Sequence, residues 1–92
     1  MTSSAIWKNV FTHWPADIPR RGVVINTLNE PMPFKSFLIK EEVLLLERTN
    51  PDSLGARFIM RAFDAINSVK LIDPLKESVF TSAGFVGKFA KE

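Results

Sequence analysis

The sequence predicts a mainly β domain with one N-terminal helix, its five short antiparallel strands closing into a small barrel. Three observations predict it. An amphipathic stripe is confined to residues 4–14, short apolar or β-branched runs follow it, and polar turn residues separate those runs. A five-stranded antiparallel sheet of this size removes its exposed edges most simply by closing on itself.

The helix is read over residues 4–14 with Ser3 or Ser4 as N-cap, because Ile6, Trp7, Val10, Phe11 and Trp14 share one helical stripe. Pro15 ends it by disfavouring helical backbone at Trp14. Pro15 and Pro19 stiffen a connector, and the stripe, with Trp7, Phe11 and Trp14, is expected to cover a sheet. Residues 22–28 are rich in β-branched side chains and read as the first strand. Asn29-Glu30-Pro31 is turn material, and residues 33–40 form the second strand. Simple alternation there puts Phe34, Ser36 and Leu38 on one face, Lys35, Phe37 and Ile39 on the other. Lys40-Glu41-Glu42 turns the chain into a third strand, Val43 to Arg48, whose continuous apolar centre suggests burial on both faces.

Residues 49–55 gather Asn, Pro, Asp, Ser and Gly and form the clearest loop. Residues 56–63 fit a helical stripe (Phe58, Ile59, Ala62, Phe63, Ile66) as well as a strand with Phe58, Met60 and Ala62 on one face. The strand is preferred, since Gly55 starts a helix poorly and the preceding hairpins need a partner. Residues 64–68 then turn, with a single 3₁₀ turn admitted, and Val69 to Ile72 is a last strand stopped by Asp73-Pro74. The division that follows is a helix-capped barrel over 1–74 and a Phe- and Gly-containing tail over 75–92, docked or disordered.

A chain of 92 residues, 46% apolar, is one domain that can bury about 60–65% of its unfolded surface. It has no cysteine, so disulfides and thiolate metal sites are excluded and a cytoplasmic setting is expected. No basic segment followed by an apolar one opens the chain, so no signal peptide is expected. The longest apolar run, Val43 to Leu46, is too short to span a bilayer. A net charge of +2 admits an anionic partner without demanding one.

The order of elements resembles the Sm-like family, in the variant of the Hfq-like bacterial RNA chaperones. The resemblance covers residues 5–74 and rests on Val23 to Asn26, on Phe34 to Leu46 with its acidic turn, and on Ala65 to Val69 ahead of Asp73-Pro74. It implies an Sm-like or SH3-like barrel, a homo-oligomer whose fourth and fifth strands pair edge to edge, and RNA as a partner. Where those chaperones carry a Tyr-Lys-His run contacting uridine-rich RNA, this chain has Ala62, Phe63 and Asp64. Ser36 stands nearest to the family's second-strand glycine. More loosely, Asp52-Ser53-Leu54-Gly55 and Arg20-Arg21 resemble the loop and arginines with which PilZ domains bind a cyclic dinucleotide; the residues alone read as an Asx-type turn.

His13 is the single histidine, and no second histidine or cysteine exists to complete a nucleophile–base pair or metal cluster. Glu41, Glu42, Asp52, Asp64 and Asp73 fall at turns, where carboxylates are solvated. No enzyme, cofactor or metal is therefore expected. Arg20, Arg21, Arg48, Arg57 and Arg61 are the candidate contacts for RNA or another anion, the planar guanidinium suiting phosphate, with Phe58 and Phe63 as stacking partners or core. Phe58, Ile59, Met60, Val69 and Leu71 are the candidate self-association edge. The functional expectation is a self-associating structural or interaction module, with RNA or protein as partner and no membrane. RNA binding is the alternative, and nucleotide sensing in the PilZ manner follows it.

Overall fold

The computed structural model describes residues 2–90; residue 1 and positions 91 and 92, the end of the predicted tail, lie outside the described residues. The first helix, α1, is Ser3–Thr12. Its N-cap is Thr2 rather than Ser3 or Ser4: the Thr2 hydroxyl accepts from the Ala5 N–H at 3.1 Å, and both serines lie in the first turn. The helix also ends before residue 14. His13 is the C-cap, and Trp14 leaves the helix to donate its indole N–H to the Ile18 carbonyl at 2.9 Å. The proline that follows Trp14 thus unwinds the chain ahead of itself.

The strands are β1 Gly22–Asn26, β2 Pro31–Lys40, β3 Val43–Arg48, β4 Phe58–Ala62 and β5 Ile66–Lys70. They form one antiparallel sheet in the order β4-β3-β2-β1-β5. The sheet is open among the described residues, with β4 and β5 as its two edges, joined by a 3₁₀ turn at Phe63–Ala65. Strand is the correct reading of residues 58–62. β1 stops at Asn26, short of residue 28, because the buried Asn26 carboxamide oxygen takes the Leu28 and Glu30 N–H groups at 3.0 and 2.8 Å and bends the chain. β5 starts three residues before the predicted Val69, since Ile66 is core and pairs with Asn26 across a bulge; Leu71 and Ile72 lie beyond the strand.

One face of the sheet and α1 enclose the core of Phe11, Val24, Met32, Phe34, Phe37, Leu44, Leu46, Phe63 and Ile66. Simple alternation fails in β2. The β2–β3 register shifts between Phe34 and Ser36, and the extra residue of that bulge brings Phe34 and Phe37 to the same face, ring centroids 6.1 Å apart. Leu38 is consequently turned outward, 66% exposed. β3 is not buried on both faces either: Leu44 and Leu46 are core, but Leu45 is only half-buried between its neighbours Leu38 and Met60.

The tail carries a short helix, α2, at Glu77–Ser82. Its rings pack chiefly on one another, Phe80 edge-on to Phe85 and Phe89 at 6.2 and 5.9 Å, and the Glu77 carboxylate accepts the Phe89 N–H at 2.6 Å. No helix among the described residues is long and apolar enough to cross a membrane.

Candidate interaction surfaces

The five candidate arginines do not form one site. Arg20 lies over the Phe37 ring at 3.7 Å and donates to the Phe37 carbonyl at 2.6 Å, so its guanidinium is engaged by a cation–π contact and a hydrogen bond. Arg21 grips Asp73 through Nε and Nη2. That grip holds the Asp73 carboxyl below its ordinary value and raises Arg21. The pair ties the entry of β1 to the segment after β5. Arg48 Nε donates to the Asn50 carbonyl at 3.0 Å, and its backbone N–H reaches the carbonyl of exposed Arg57 at 2.8 Å. Arg61 stands opposite Leu44 on the inner face, its Nε buried without a hydrogen-bond partner.

Acidic residues gather at the opposite end from Arg48 and Arg57. The turn at Glu41 and Glu42 meets the 3₁₀ turn through the Phe63 N–H and Glu42 carbonyl at 3.3 Å, which brings Asp64 to the same end. Lys8 of α1 bonds the Glu42 carboxylate there at 2.6 Å. The three positions matched to the RNA-contacting run of the Hfq-like chaperones lie at this end: exposed Ala62, fully buried Phe63 and exposed Asp64. Phe63 is therefore core and Phe58, at 58% exposure, is not.

Asp52 forms the Asx-type turn read from the sequence, its carboxylate accepting the Leu54 and Ala56 N–H groups at 2.9 and 2.8 Å. The Ala56 bond, then the Leu54 bond, lower its pKa. His13 is exposed, with Nδ1 3.1 Å from the Asn9 carbonyl. Among the described residues no three acidic or histidine side chains cluster in a way that would hold a metal ion.

The sheet edges differ. Phe58, Met60 and Ala62 share the outer face of β4, and Met60 is 75% exposed. Residues 57 and 63 bond toward β3, so the alternating backbone of Phe58, Met60 and Ala62 turns its N–H and C=O groups to the free edge. Met60, Leu45 and Leu38 stand in register across three strands and make an outward apolar row. Phe58 and Arg20 flank that row in a groove of about 330 Å³ that also takes in Ser36 and Glu47. Ile59 faces inward and is half-buried. On the other edge, α1 packs across the 3₁₀ turn and β5. Val69 and Leu71 line an apolar cleft of about 320 Å³ with Trp7, Trp14, Phe80 and Phe85. Leu38 is turned outward by the β2 bulge, which leaves no mark in the hydrophobic pattern, and Leu45 faces the same way by alternation between Leu44 and Leu46, which the continuous apolar run of β3 conceals.

Comparison with family models, with curated proteins and with solved structures gives no match to this chain.

Proposed function

We propose that this protein is a non-enzymatic interaction module of Sm-like architecture that associates with itself through the edges of its sheet. The observation that carries the reading is β4, a strand whose outward backbone groups are unpaired among the described residues and whose outward side chains, Phe58 and Met60, are exposed and apolar. Such an edge is a template for another strand. The Sm-like assignment is supported by the strand order, by the 3₁₀ turn between the last two strands and by the N-terminal helix over the core. Residues from both edge strands, Ile59 packed against the core from β4 and Ile66 within it from β5, support a sheet curled toward a barrel. A cytoplasmic setting suits a chain without cysteine.

Light scattering behind a sizing column tests the reading. The native mass is expected to be a multiple of 10.4 kDa and to fall to that value when an acidic residue is placed on the exposed edge, as in Phe58→Asp. A wild-type chain that stays at 10.4 kDa at every concentration overturns it.

A further inference from the structure

We infer that the partner is a second copy of this chain, docked β4 against β4 antiparallel about a two-fold axis, with Met60 beside Met60 of the second copy. The inference rests on the self-association proposed above and names the strand, the symmetry and the register.

The backbone fixes the parity. A strand added at the free edge of β4 bonds to the even-numbered residues, Phe58, Met60 and Ala62. Antiparallel pairing centred on Met60 matches the whole strand Phe58–Ala62 with itself. Phe58 then faces the second copy's Ala62, a large side chain against a small one, on both sides of the axis. Centring on Phe58 or on Ala62 leaves most of the strand unpaired. Centring on Arg61 sets two guanidinium groups face to face.

Side chains favour the same register. The outward row Leu38, Leu45, Met60 continues across the axis into its own copy, so a short exposed patch becomes one apolar stripe over six strands. Exposed Arg57 of each copy comes alongside the other copy's 3₁₀ turn, which carries exposed Asp64. The interface is thus self-complementary in backbone, in volume and in charge, as a two-fold contact requires.

A cysteine-free chain makes the test direct. Met60→Cys and Asn67→Cys, at exposed positions of β4 and β5, are each treated with a short thiol-to-thiol crosslinker, their folds checked by far-UV circular dichroism. Expected are a wild-type native mass of twice 10.4 kDa, a covalent dimer from Met60→Cys and none from Asn67→Cys. Met60→Lys, with its fold retained, should return the mass to 10.4 kDa. A native mass of several protomers, or no crosslink at position 60 in a dimer, overturns this pairing and leaves self-association standing. A monomeric wild type overturns both.

Discussion

Phe11→Ala tests the part of the fold on which every surface described above depends, the seating of α1 on the sheet. Phe11 is the one fully buried residue of that helix, 1% exposed. Its ring lies 5.0 Å from Phe37, 5.4 Å from Trp14, 6.1 Å from Phe63 and 6.4 Å from Phe34. Truncating a buried phenylalanine costs about 3–5 kcal/mol, since the transfer free energy is lost and a cavity remains. A domain of this length is stable by about 5–14 kcal/mol, so between about a fifth and the whole of the margin goes. Urea unfolding followed by tryptophan fluorescence reads the change, at one protein concentration because the proposed association would contribute to apparent stability. With a slope of about 1–3 kcal/mol/M, the midpoint should fall by at least about 1 M. Asn9→Ala, on the exposed side of the same helix, should change stability by no more than about 0.5 kcal/mol. A Phe11→Ala midpoint within about 0.3 M of wild type, at unchanged slope, refutes the seating of α1 on this core.

Other perturbations probe the sheet and the charges. A Cβ at Gly22 would sit 2.4 Å from the Lys70 carbonyl oxygen of the neighbouring strand, so Gly22→Ala should cost about 1–3 kcal/mol by denaturant titration; an unchanged midpoint refutes the close β1–β5 approach. Asn26→Ala strips the partner from the Leu28 and Glu30 N–H groups and should cost a similar amount, about 1–3 kcal/mol, which equal stability of the two proteins would contradict. Arg21 holds Asp73, and backbone N–H groups hold Asp52, below the ordinary value of 3.8. Because both folded-state values are depressed, their stabilisation is complete above that value and is lost as pH falls through the lower folded values. Asp73→Asn should flatten the acid limb of a thermal-unfolding profile, and a profile superimposable on wild type removes the role given to the pair. A fluorescent uridine-rich RNA should show no salt-sensitive anisotropy change that depends on Asp64, since the matched end of the sheet is acidic; weakening by Asp64→Lys, or steep salt dependence for wild type, would bring RNA back as the partner.

The sequence-level pattern located the helix, the first three strands and the main loop, because each rests on a local signal: a stripe, a β-branched run, or turn residues; the fourth strand is preferred to a helix on the hairpins' need for a partner, and the fifth is placed three residues late. What it lost were the features decided by pairing across the sheet. Phe34 and Phe37 read as opposite-facing by alternation, and only the register against β3 reveals the bulge that unites them in the core. The same bulge exposes Leu38, which alternation had grouped with buried Phe34. β5 was displaced because Asn67 and Ser68 look like turn residues, whereas pairing with β1 and burial of Ile66 hold them in a strand. Thr2 outcompeted the serines as N-cap through a single bond to Ala5, a choice among three adjacent hydroxyl residues that composition does not rank. Of the candidate edge residues, Phe58 and Met60 share one exposed face of β4, whereas Leu71 lies past the end of β5 and belongs to the apolar cleft.

The contrast between the two edges supports the choice of β4 over β5 in the pairing inferred above. β5 carries several of the devices by which sheets blunt an edge: a register shift against β1, an exposed lysine at its end, and a helix packed across its start. β4 has no proline, no bulge in its pairing with β3 and no charge on its outer face. Its single charge, Arg61, points inward, a device that blunts an edge against unselected partners, and in the inferred dimer it would discriminate among registers. Registers that bring two Arg61 side chains together are penalised by repulsion, while the Met60-centred one sets each Arg61 beside the other copy's Ile59. Specificity of this kind needs a cost against the wrong register as well as contacts in the right one. In the proposed pairing Arg61, which a sequence reading offers as an anion contact, would instead fix how the strand meets its copy.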